Sequence, residues 1–80
     1  MQDQIIQALR QNEADQAVQL AQAWTRDEPG QAEAHRWLAL ALQQQGKAED
    51  AMQALQQALQ LAPDNAQLHL QHAGLLLACL

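Results

Sequence analysis

The chain has 80 residues, 49% of them apolar, and a formal net charge of −5 with only four Lys and Arg. This length allows one small domain, and the acidic balance argues against nucleic-acid binding and against docking on an anionic membrane, since both need clustered positive charge. Phe and Tyr are absent and Ala and Leu are abundant, which favours helices over strands.

The single cysteine, Cys79, cannot form an internal disulfide, so an oxidised secreted scaffold is not expected. The opening MQDQIIQALRQNE lacks the basic region and apolar run of a signal peptide. The most apolar run, GLLLACL, is far too short to cross a bilayer. We therefore expect a cytoplasmic protein.

Apolar residues recur at helical spacing along the chain and predict five helices. In chain order these are Asp3–Arg10, Glu13–Arg26, Gln31–Gln45, Ala48–Leu61 and Asn65–Cys79.

Gly, Asn and Pro residues lie at the ends of these predicted helices. Gly46 and Asn12 are suited to the left-handed conformation that ends a helix and turns the chain into the next one. Pro29 and Pro63 lack a backbone N–H and disfavour helix in the residue before them, so each ends a helix. Asp64 or Asn65 is then placed to cap the last helix.

The same residues return after 34 positions, as Pro29 and Pro63 show. Residues 34 positions apart are called repeat mates below. The mates that agree include Ala14 with Ala48, Ala17 with Ala51, Gln19 with Gln53, Gln22 with Gln56, Ala32 with Ala66, His35 with His69, Ala39 with Ala73 and Leu42 with Leu76. A fixed period of this length indicates an array of helix pairs.

The helix predicted from Gln31 to Gln45 is apolar nearly all around, so it must pack against its own partner and against a neighbouring pair. This is what a solenoid requires. We expect small residues to let helix axes approach closely, and the candidates are Ala17, Ala39, Ala51, Ala58 and Ala73.

These residues resemble the tetratricopeptide repeat family, a 34-residue helix–turn–helix array. Leu38, Ala39, Leu42, Ala51, Leu55, Ala58 and Pro63 match its pattern. Four positions depart from it: His35 and His69 stand where the family usually has a bulky aromatic ring, Trp24 stands where it has a small alanine, and Ala21 where it has a large residue. The resemblance implies an all-α, right-handed α-solenoid of antiparallel helix pairs. It divides the single domain, residues 1–80, into a partial first repeat (1–31), a complete repeat (32–65) and the first helix of a truncated repeat (66–80).

In this family the first helices line a concave groove, and the resemblance implies that this groove binds a peptide or a helix. The matching positions, here called the groove residues, are Ile6, Leu9, Arg10, Arg36, Trp37, Leu40, Gln43 and Leu70. Trp37 either lines the groove or packs between repeats, and both alternatives stay open. A chaperone-tail clamp is not expected, since Gln2 and Ile6 occupy positions where its first polar residues would stand.

The last helix carries more apolar residues than one packed face requires. Leu75, Leu76, Leu77 and Leu80 follow Leu70, and no second helix of that repeat follows them in the 80 residues. An uncovered apolar end predicts either that more chain follows in the natural protein or that another molecule covers this surface, and we expect the isolated chain to self-associate through these four leucines.

We find no catalytic set in the sequence. It contains one Cys, one Thr, no Ser and no Tyr, and its three glycines lie far apart, so neither an activated nucleophile nor a phosphate-binding loop is expected. His35, His69 and His72 share a spacing that metal sites use, but histidines that replace core rings explain it more simply. We expect no metal and no cofactor.

The sequence thus predicts a non-catalytic protein–protein interaction module that binds a protein or peptide, not nucleic acid or membrane. Two alternatives remain: a structural superhelix that assembles through its repeat ends, and a docking or regulatory domain of a larger enzyme such as a glycosyltransferase or sulfotransferase.

Overall fold

The computed structural model describes residues 2–78 as an all-α chain, which confirms the predicted fold class. Its helices are α1 (Gln2–Arg10), α2 (Ala14–Asp27), α3 (Ala32–Gln44), α4 (Ala48–Leu61) and α5 (Ala66–Ala78). Every predicted bound within the described residues lies within one residue of the observed one, and the predicted end at Cys79 lies outside them. No helix of residues 2–78 is long and apolar enough to span a bilayer.

The turns that follow α1 and α3 have the same geometry. Asn12 and Gly46 have φ values of 59° and 85°, as predicted for residues that end a helix in the left-handed region. In each turn the next residue donates its N–H to the carbonyl five positions earlier, Glu13 to Ala8 at 2.8 Å and Lys47 to Leu42 at 3.0 Å. These bonds satisfy carbonyls at the helix end and fix the angle at which the next helix begins.

Prolines end α2 and α4 as predicted, with Pro29 and Pro63 each two residues beyond the last helical residue. Asn65 then caps α5. Its Oδ1 atom accepts hydrogen bonds from the backbone N–H groups of Gln67 at 3.0 Å and Leu68 at 3.4 Å.

The helices pack in chain order, each against the next, and α3 also packs against α1. The buried core runs through all five helices, and its largest fully buried side chains are Ile5, Leu55, Leu68 and Leu75. Ala17, Ala39, Ala51 and Ala58 are fully buried, in agreement with their predicted role as small residues between helices. The same prediction is wrong for Ala73, which is exposed.

Glutamine side chains also join one helix pair to the next. Gln44 Nε2 donates to the Leu9 carbonyl on α1 at 3.3 Å, and Gln71 Nε2 donates to the Arg36 carbonyl on α3 at 3.3 Å. Each bond spans 35 positions, one more than the sequence period. The first helices of successive pairs are therefore held side by side by repeated contacts.

Candidate interaction surface

The groove residues lie on α1, α3 and α5, the helices that the glutamine bonds and the α1–α3 contact bring together. Ile6, Leu9 and Leu40 are half-buried, whereas Arg10 and Gln43 are exposed. Leu70 is 74% exposed. The surface of these first helices thus combines aliphatic and polar side chains that remain accessible.

The α1 end of this surface has a shallow gap between side chains of one helix. Ile6 and Arg10 line an open pocket of about 390 Å³ together with Asp3 and Gln7. An aliphatic side chain beside a cation and a carboxylate offers both apolar contact and hydrogen bonding to a bound peptide.

On α3, the Arg36 side chain is held in place by its neighbours and is only 16% exposed. Its Nη2 atom lies 2.8 Å from Glu33 Oε2, and its Nε atom donates to Glu33 Oε1 at 3.1 Å. The hydrogen bonds and the charge of Arg36 lower the pKa of Glu33 below 4.5, although partial burial of the carboxyl opposes this shift. Arg36 is therefore neutralised within its own helix.

The Arg36 guanidinium also lies over the ring of Trp37, with Cζ 4.6 Å from the ring centroid. Trp37 is half-buried and packs against the core, so its ring is covered by the core on one part and by Arg36 on another. Its Nε1 atom is buried and makes no well-formed hydrogen bond among the described residues, but its N–H is close enough to the Glu33 carboxyl to add weakly to the lowering of the Glu33 pKa. Trp37 thus packs against the core and stays partly accessible beside the groove residues.

The leucines of α5 divide between the core and the surface. Leu76 and Leu77 are 46% and 71% exposed. Leu75 is fully buried in the core, so it cannot form part of an exposed self-association surface, which corrects the sequence prediction for this residue. Leu80 lies outside the described residues.

The two repeat-mate histidines make the same contact. His35 Nε2 lies 3.1 Å from the Pro29 carbonyl, and His69 Nε2 lies 2.6 Å from the Pro63 carbonyl. Because a carbonyl only accepts, each Nε2 carries the hydrogen and ties the start of its helix to the preceding proline turn. The described residues contain no group of three or more His, Cys, Asp and Glu placed to hold a metal ion.

Sequence reasoning missed Glu33, Gln44 and Gln71, which position the surface. Glu33 stands three residues before Arg36, a spacing at which opposite charges meet on a helix. The two glutamines lie 35 positions after the carbonyls that they bond. Aligning each first helix with the next one at an offset of 35 residues, one more than the sequence period, would have identified them.

The family model described as Tetratricopeptide repeat matches residues 3–66. The match includes nearly all of α1, all of α2, α3 and α4, and the first residue of α5. No curated protein matches the chain.

Proposed function

The chain belongs to the tetratricopeptide repeat family, and we propose that it is a non-catalytic module that binds a segment of another protein on its groove residues. Repeats of this family generally mediate protein–protein interaction. The observation that supports these residues as the binding surface is the lateral packing of first helices, which holds accessible aliphatic side chains from α1 and α3 on adjacent elements.

The charges on this surface favour an amphipathic or apolar segment over an acidic one. Arg36 is paired with Glu33 and covers Trp37, so it offers a flat cation–aromatic surface more than an unpaired positive charge. Half-buried Ile6 on α1 and Leu40 on α3 supply apolar contact. A partner helix with an apolar face fits this arrangement, since such helices bind hydrophobic grooves through residues one turn apart.

A phage-displayed library of random peptides, selected on the whole protein, tests this proposal. We expect enrichment of sequences with apolar residues at helical spacing, and binding that Leu40→Gln weakens by about tenfold or more, since one central apolar contact contributes about 1.4 kcal/mol or more. Leu20→Gln is the matched control, because Leu20 is also a half-buried leucine but lies on α2. Enrichment of acidic peptides, or equal losses in both variants, would refute the proposed surface.

A second candidate function, self-association, is favoured by the exposure of Leu70, Leu76 and Leu77 on α5. Exposed leucines in one patch are typical of surfaces that bind another protein molecule. On this proposal the module assembles through α5, where Leu70 belongs to both surfaces, and the groove residues on α1 and α3 stay accessible in the assembly.

A further inference from the structure

One face of α5 is a continuous apolar patch. Ala73 lies at the centre of this patch. Leu70 is three residues before it, Leu76 three residues after it and Leu77 four residues after it, so the four side chains are neighbours on the helix surface. They are called the α5 leucine face. The three leucines are 74%, 46% and 71% exposed, and Ala73 is also exposed.

Comparison with α3 shows that two positions of this face correspond to covered ones, whereas Leu70 and Leu77 have the polar repeat mates Arg36 and Gln43 on the accessible surface of α3. Ala39 and Leu42 are the repeat mates of Ala73 and Leu76, and they are only 0% and 9% exposed. α3 packs against helices on both sides, α2 and α4, whereas α5 packs against α4. At Ala73 and Leu76 the α5 leucine face therefore matches a helix–helix interface of α3, and no helix covers it within the described residues.

The opposite end of the array is polar. Gln4, Gln7, Gln11 and Gln16 line a cavity of about 410 Å³ on α1 and α2, together with Ala8 and Leu20. The repeat mates of Gln4, Ala8 and Leu20 are Leu38, Leu42 and Ala54, and these line the junction where α2 meets the next helix pair. By the repeat, the glutamine cavity marks the surface that a preceding helix pair would contact.

The two ends are therefore poor partners for each other. Head-to-tail stacking would bury glutamine amides against leucines and leave their hydrogen-bonding groups without partners, which is unfavourable. Contact between two copies of the α5 leucine face matches apolar surface with apolar surface. It is also free of charge repulsion despite the net charge of −5, because α5 contains no Asp, Glu, Lys or Arg.

We propose that a second copy of this chain covers the α5 leucine face, and that the two copies form a closed two-fold dimer with α5 against α5. This inference rests on self-association, the second candidate function, and adds its geometry. A two-fold contact uses the same surface on both copies, so the dimer does not grow further. The small Ala73 at the centre of the face lets the two helix axes approach closely.

The size of the face limits the strength of the dimer. A helix of 13 residues is about 20 Å long and about 10 Å wide, so α5 alone offers roughly 200 Å² per copy. Stable interfaces bury about 800 Å² per partner. We therefore expect a weak dimer in rapid exchange with the monomer, populated only at high protein concentration.

Sedimentation velocity over a dilution series of the whole protein tests the proposal. We expect a monomer–dimer equilibrium that Leu76→Glu with Leu77→Glu weakens at least tenfold, because a two-fold axis places each added charge opposite its own copy. Gln7→Glu with Gln11→Glu is the matched control, since it adds the same charge on the glutamine cavity and leaves the equilibrium unchanged.

Cysteine cross-linking provides a second test that does not depend on the leucine variants. With Cys79→Ala as background, Ala73→Cys is expected to give a covalent dimer under mild oxidation, and Gln7→Cys is not. Species larger than a dimer that the Gln7 and Gln11 variants weaken would overturn the closed dimer and leave self-association standing. A strict monomer at high concentration would overturn both, and would indicate that another segment covers the face.

Discussion

Gly46→Ala tests whether the turn within the central helix pair depends on backbone conformation alone. Gly46 has a φ of 85°, and a Cβ atom placed there would meet nothing within 4 Å. A steric clash is therefore absent, and the cost of the substitution comes from holding an L-residue in the left-handed region.

The expected loss follows from two opposing effects. Left-handed backbone costs a non-glycine residue about 1–2 kcal/mol. Replacing Gly by Ala also restricts the unfolded chain, which offsets about 0.4–1 kcal/mol of that cost. We expect Gly46→Ala to lower the free energy of unfolding by about 1 kcal/mol, or the melting temperature by about 4–8 °C.

Gly74→Ala is the matched control. A Cβ atom added to Gly74 would likewise meet nothing within 4 Å, but this residue lies inside α5, where Ala is favoured over Gly by about 0.5–1 kcal/mol. Urea unfolding at low protein concentration, followed by tryptophan fluorescence, should show a lower free energy of unfolding for Gly46→Ala and a higher one for Gly74→Ala than for the parent protein. A Gly46→Ala variant as stable as Gly74→Ala would refute the left-handed turn.

Three further substitutions test local contacts. Asn65→Ala should lower the free energy of unfolding by about 1 kcal/mol in urea titrations, because it removes the α5 cap; no loss would contradict that role. Glu33→Gln should cost about 0.5 kcal/mol at pH 7, since a partly exposed ion pair between residues one turn apart on a helix contributes little. The pKa of Glu33 is lowered in the folded state, so this contribution is fully present above the ordinary pKa of a glutamate and disappears as pH falls through the lower folded pKa; a loss independent of pH would contradict the pairing with Arg36. Leu55→Ala should cost about 2–5 kcal/mol by thermal unfolding, whereas Leu61→Ala, at a site 44% exposed, should cost less than about 1 kcal/mol; equal losses would contradict the assigned core.

The helices and their ends could be predicted because the signals are local. Asn12, Gly46, Pro29 and Pro63 restrict the backbone at their own positions, and the structure places a helix end at each of them. Asn65 likewise caps the helix that follows it. The period of 34 then predicted that successive helix pairs are alike, and the family match over residues 3–66 confirms this.

The orientation of α5 could not be predicted in the same way. Leucines occupy three consecutive positions, Leu75 to Leu77, so they point to different sides and no side of this segment is marked as polar. The orientation of α5 is set by its packing against α4, which buries Leu75 and leaves Leu76 and Leu77 accessible.

The state of Arg36 could not be predicted from its place in the repeat either. Its mate in α5 is Leu70, so the period carries no information about a salt bridge at this position. The pairing with Glu33 and the contact with Trp37 depend on side-chain conformation, which the apolar pattern does not specify.

Leu68→Ala tests most directly whether one core joins all the helix pairs. Leu68 is a fully buried side chain of α5, and the native tryptophans report from α2 (Trp24) and α3 (Trp37). Urea unfolding of Leu68→Ala in two single-tryptophan backgrounds, Trp24→Phe and Trp37→Phe, should show a loss of about 2–5 kcal/mol with both probes. A Trp24 transition that stays at its original midpoint while the Trp37 transition moves would contradict a shared core.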